Sequence, residues 1–210
     1  MSMSDRAKLW FEEGVELCRV RQMDRAIKYF NEAINLSPNY VEAYINRGAC
    51  YDELGQYKRA IQDYDKSIQL NPNYLEAYNN RGEAYFNLEQ YERAIQDYTK
   101  AIEFNPNLRY AYNNRGLAYY RLGQYERAIQ DYDKALQLNS NDEVAYYNRG
   151  LCYYYLGQYK RAIQDYDKSI QLNPNDADAY NVRGDAYMKL KDNVNAQADF
   201  ARAKELGYNR

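Results

Sequence analysis

The chain has 210 residues, with 28 Lys and Arg against 30 Asp and Glu, for a net charge of −2. That balance leaves no overall field to concentrate a polyanion, and 27 tyrosines at regular spacing weigh against disorder. Histidine is absent, which removes His-based acid–base chemistry, Cys–His and Ser–His nucleophile pairs, and most zinc designs.

The opening segment, MSMSDRAKLWFEEG, is charged almost at once and carries no signal-like apolar run. No stretch approaches the roughly 20 apolar residues of a membrane span, so a cytoplasmic location without membrane contact is expected. Residues 1–6 read as an N-terminal tail. From Ala7 onward the sequence repeats every 34 residues, as Gly14, Gly48, Gly82, Gly116, Gly150 and Gly184 show. The six units are 7–40, 41–74, 75–108, 109–142, 143–176 and 177–210. An array of this kind buries each unit against its neighbours and builds function on a shared surface.

The first unit is divergent: Trp10 and Phe11 open it beside Glu12, Glu13 and Glu16, with Trp10 read as a core residue. In the second, Tyr44, Gly48, Tyr51 and Leu54 recur at helical spacing. Gly55 and Gln56 interrupt, and Tyr57, Ala60, Ile61, Tyr64, Ile68 and Leu70 mark a second helix that Asn71-Pro72-Asn73 ends. Each unit is thus predicted to be an antiparallel helix pair. A glycine inside a helix costs about 1 kcal/mol relative to alanine, so Gly48 is expected to sit at a close helix contact opposite Ala60, with Tyr51 and Tyr64 beside it. In the sixth unit Gln197 and Lys204 stand where units one to five carry Ile or Leu, and Asn193 stands where units two to five carry Tyr. That unit is therefore expected to act as a wet cap with no seventh unit after it.

Cysteines Cys18, Cys50 and Cys152 are widely spaced. Cys50 and Cys152 share one repeat position, filled elsewhere by Ala84, Ala118 and Ala186, so a small buried residue is the expectation and a reactive or bridging thiol the alternative.

The set Tyr44, Gly48, Tyr51, Ala60, Tyr64, Ser67 and Pro72 resembles the tetratricopeptide repeat (TPR). It recurs as Tyr112, Gly116, Tyr119, Ala128, Tyr132 and Ala135, with Ser140 in place of the proline. The resemblance covers residues 7–210. It implies an all-α fold, a right-handed TPR superhelix or α-solenoid of antiparallel helix pairs, with first helices lining the concave face. It also implies a non-catalytic module that binds an extended or helical peptide of a partner protein, without a cofactor or metal. An architectural scaffold or homo-oligomerisation module is the alternative, so self-association stays open, while nucleic acid is not expected.

The chain departs from the family one place before the glycine, where Arg47, Arg81, Arg115, Arg149 and Arg183 replace an apolar residue. Buried arginines need partners, and Asp63, Asp97, Asp131, Asp165 and Asp199 recur at a matching position. The first unit has Glu13 and Tyr29 there and lacks both partners together, which favours pairing within a unit over pairing with the preceding one.

Positions that face the groove in the family fall here on Asp52, Glu53, Glu76 and Glu83 in units two and three. In units four and five they fall on Leu117, Tyr120, Tyr147, Leu151 and Tyr154, with Asp178 and Asp185 following in unit six. Asn46, Asn80, Asn114 and Asn148 align at a position that holds ligand backbone in peptide-binding relatives, and each is equally able to bond within the array. The expected ligand carries Lys or Arg near the acidic units and bulky apolar residues near the tyrosines. The pattern that grips chaperone tails is not matched, because its basic residues are missing.

Overall fold

The computed structural model describes residues 2–208 and resolves the repeat into twelve helices in antiparallel pairs. Helix α1 (Met3–Arg19) pairs with α2 (Met23–Leu36), α3 (Val41–Glu53) with α4 (Tyr57–Leu70), and α5 (Leu75–Asn87) with α6 (Tyr91–Phe104). Next, α7 (Arg109–Arg121) pairs with α8 (Tyr125–Leu138), α9 (Glu143–Tyr155) with α10 (Tyr159–Leu172), and α11 (Ala177–Lys189) with α12 (Asn193–Glu205). These form two bodies, Met1–Pro106 and Asn107–Arg210. In the first, α2 packs on α3 and α4 on α5; in the second, α8 packs on α9 and α10 on α11. Met1 and the last two residues of the sixth unit lie outside the described residues.

The first helix begins at Met3, within the segment expected as an N-terminal tail. Ser2 Oγ accepts from the Asp5 amide at 3.0 Å while Asp5 Oδ2 accepts from the Ser2 amide at 2.8 Å. This reciprocal cap satisfies two otherwise unpaired amides and fixes residues 3–6 as the first turn.

Within a unit the turn is set by backbone bonds. The Gln56 amide donates to Tyr51 O and the Gly55 amide to Asp52 O, both at 2.8 Å, with Gly55 at φ 69°. This left-handed residue closes the helix by satisfying its last carbonyls.

The interior of each of the first five units is built on one ring. Phe30, Tyr64, Tyr98, Tyr132 and Tyr166 are the largest fully buried side chains. A Cβ on Gly48 would lie 2.7 Å from Tyr64 Cε1, and one on Gly150 would lie 2.6 Å from Tyr166 Cε1. The glycine therefore faces the tyrosine ring rather than the small Ala60, and the buried ring offsets what glycine costs the helix. At the far end of the second body, Gln197 and Lys204 on α12 are exposed, as is Val194.

Candidate functional site

Five arginines of the first helices stand over five aspartates of the second helices. Arg47 Nε and Nη2 donate to Asp63 Oδ2 and Oδ1 at 2.8 and 2.6 Å. The same two-pronged contact joins Arg81 to Asp97, Arg115 to Asp131, Arg149 to Asp165 and Arg183 to Asp199. Burial pushes the Asp97 carboxyl up, and the guanidinium of Arg81 pulls it back down. A further nitrogen, Nη1, reaches the preceding unit: Arg47 to Asn31 and Arg81 to Asp65 at 2.6 Å, Arg149 to Asp133 at 2.5 Å, and Arg183 to Asp167 at 2.6 Å. Contacts within and across units thus coexist, with different acceptors. The planar fork of arginine permits this, because its donors diverge. Sequence reasoning missed the second acceptor, since Asp65, Asp133 and Asp167 alternate with lysines on a helix face that reads as solvated.

In the first body, α3 and α5 border a cavity of about 390 Å³ lined by Ala49, Asp52, Glu53, Tyr64, Asn80, Glu83 and Asn87. Burial, together with Glu83 and Glu53, pushes the Asp52 carboxyl up to about 7, and a bond from the Tyr64 hydroxyl opposes that rise. Desolvation against this wall and the nearby Glu53 also raise the Glu83 carboxyl. One Asp52 oxygen, Oδ1, is enclosed without a partner among the described residues. Glu76 is exposed on α5 and is not among the residues lining the cavity. Asn46 Nδ2 donates to the Glu42 carbonyl of its own helix at 2.8 Å, and Asn80 Oδ1 accepts from Asn79 Nδ2 at 3.4 Å.

In the second body, tyrosines of α7 to α10 gather into one aromatic face. Tyr125 stacks on Tyr155 with centroids 5.3 Å apart, and Tyr120 meets Tyr155 edge-on at 5.8 Å. Tyr154 approaches Tyr155 at 5.7 Å and Tyr159 at 5.4 Å. Tyr155 remains 56% exposed. Burial and the Asp178 and Asp176 carboxylates push the Tyr147 hydroxyl up to about 12. Tyr147, Leu151 and Tyr154 pack against the core of Ala162, Ile163, Tyr166 and Ala186. Leu117, Asn114 and Asn148 are half-buried on α7 and α9. Asp142, which sequence reasoning did not single out, caps α9 through Ala145 N at 3.2 Å. It also accepts from Arg109 Nη1 at 2.5 Å and Asn113 Nδ2 at 2.7 Å, tying α7 to α9. Its only sequence signal is an aspartate just before a helix.

Among the described residues no group of three or more Cys, Asp or Glu side chains is arranged to hold a metal ion, and no helix is long and apolar enough to cross a membrane. Family models described as tetratricopeptide repeat match residues 7–40, 41–74, 75–108, 110–142, 144–176 and 165–198. The chain belongs to the tetratricopeptide repeat family. It is accordingly a protein-interaction module, of a fold that is typically non-catalytic. Among similar solved structures, MamA (41-end) from Desulfovibrio magneticus RS-1 is 26% identical with a TM-score of 0.79, covering 83% of this chain and 99% of that one. An uncharacterised protein of Methanocaldococcus jannaschii is 35% identical over 52 residues, 25% of this chain and 60% of that protein. The Hsp70-Hsp90 organizing protein of Triticum aestivum is 43% identical over 44 residues, 21% of this chain and 8% of that protein. The match therefore spans less than two thirds of either curated relative.

Proposed function

We propose that this TPR chain binds an extended or helical segment of a partner protein, and that in the first body a Lys or Arg side chain of that segment enters the cavity between α3 and α5. One observation carries the reading: carboxylates of Asp52, Glu53 and Glu83 and the amide of Asn80 line a single open cavity of about 390 Å³. A cation placed there would give the enclosed Asp52 oxygen a partner and relieve the repulsion that raises both Asp52 and Glu83. Charge complementarity of this kind contributes more to specificity and encounter rate than to raw affinity. In the second body, the tyrosines around Tyr155 offer rigid amphipathic area for bulky apolar residues.

A peptide library selected against the purified chain tests this. Lys- or Arg-containing peptides should be enriched, and Asp52→Asn with Glu83→Gln should abolish that enrichment. Uniformly acidic peptides, or enrichment indifferent to both changes, would overturn it. Sedimentation across concentrations addresses the architectural alternative, because a stable dimer that excludes peptides would replace peptide binding with self-association.

A further inference from the structure

Cys18 of α1 and Cys50 of α3 come from different units, yet their sulfurs lie 3.0 Å apart. We propose that these two thiols form a redox-responsive pair that closes to a disulfide joining α1 to α3, with hydrogen peroxide as the oxidant. A bonded pair stands about 2.05 Å apart, so closure needs only a small movement of two side chains already in contact.

The two sulfurs differ in ways that order the reaction. Cys18 is partly exposed, whereas Cys50 is 1% exposed. The hydrogen bond from Cys50 holds the Cys18 thiol below its ordinary range, while the same contact and burial push Cys50 up. The Cys18 thiolate therefore attacks the peroxide first. Its sulfur bonds to one oxygen, the O–O bond breaks, and the leaving oxygen departs as water with the thiol proton. Cys50 sulfur then attacks Cys18 sulfur, the S–O bond of the sulfenic acid breaks, and that oxygen leaves as a second water with the Cys50 proton. Two thiols are oxidised, one peroxide is reduced, and two waters form.

Repeat position explains why this pair is local. Cys152 matches Cys50, but the residue corresponding to Cys18 in that part of the chain is Tyr120. Cys152, 0% exposed, is thus an internal control. Closure ties together the first helices of the first two units and restricts the unfolded chain between residues 18 and 50.

The test uses the full reduced chain treated with stoichiometric hydrogen peroxide. Two of its three thiols should disappear in a denaturing thiol titration. The intact mass should fall by about 2 Da. Digestion should yield one cross-linked peptide pair containing residues 18 and 50, released by dithiothreitol. The thermal midpoint of the oxidised chain should rise by at least about 2 °C. Cys152→Ala should leave the two-thiol loss intact, whereas Cys50→Ala, which installs the alanine of three sister units, should abolish it. Separate oxygen adducts on Cys18 with Cys50 still free, or a disulfide between chains, would overturn the proposal. Both are read on the wild-type chain and do not depend on any variant folding.

Discussion

Arg115 commits two nitrogens to Asp131, and the pair is 17% and 6% exposed. Removing the cation leaves a desolvated carboxylate without its counter-charge, which costs more than the pair contributes when whole. Arg115→Leu should lower the unfolding free energy by about 1–3 kcal/mol in urea titrations. Adding Asp131→Leu should restore much of that, and a neutral single change would show that the guanidinium contributes nothing. Asp52 carries the opposite sign of charge effect. Its carboxyl keeps its proton to about 7 in the folded chain, against an ordinary value of 3.8. Because the folded value is raised, the stability it contributes is complete below 3.8 and is lost as pH rises to about 7. Asp52→Asn should flatten that part of the profile and exceed the wild type in stability near pH 8, measured by denaturation at several pH values. A variant with an unchanged slope would place the titration elsewhere.

At the level of helices, the glycine of each unit meets an aromatic ring of the second helix, a tyrosine in units two to five and a phenylalanine in units one and six. Gly150→Ala would drive a methyl to 2.6 Å from the Tyr166 ring, which is 0% exposed. The change should cost about 1–3 kcal/mol despite the better helix propensity of alanine. A gain in thermal midpoint would mean that α9 and α10 separate without penalty. The helix pairs themselves were legible in the sequence, since the apolar spacing around Tyr44 and Tyr64 and the breaks at Gly55 and Pro72 recur in register. Opposition of Arg47 and Asp63 was legible too, because the first unit lacks both. Three features were not. The start of α1 at Met3 rests on a local cap before the repeat begins. The Cys18–Cys50 contact joins residues at different repeat positions, so alignment of units conceals it. Asp142 acts through Arg109 and Asn113, neighbours that no other unit reproduces together.

For the molecule as a whole, the polar face of α12 is expected to keep copies from docking end to end. Gln197 and Lys204 are exposed where the other units place isoleucine or leucine. Gln197→Ile with Lys204→Ile should produce concentration-dependent association in light scattering, and unchanged behaviour would mean that this face does not dock. The Nη1 contacts of the arginines bear on how the array comes apart. Asp65 and Asp167, the acceptors for Arg81 and Arg183, are 52% and 51% exposed, whereas Asp97 and Asp199, gripped by the other two nitrogens, are 7% exposed. Dissolved ions screen the open contacts and spare the sheltered ones. In the language of a one-dimensional lattice, salt weakens the ionic share of the nearest-neighbour coupling, while apolar packing between units is not screened. Concentrated salt is therefore expected to loosen these open links between units before it affects the sheltered pairs within them.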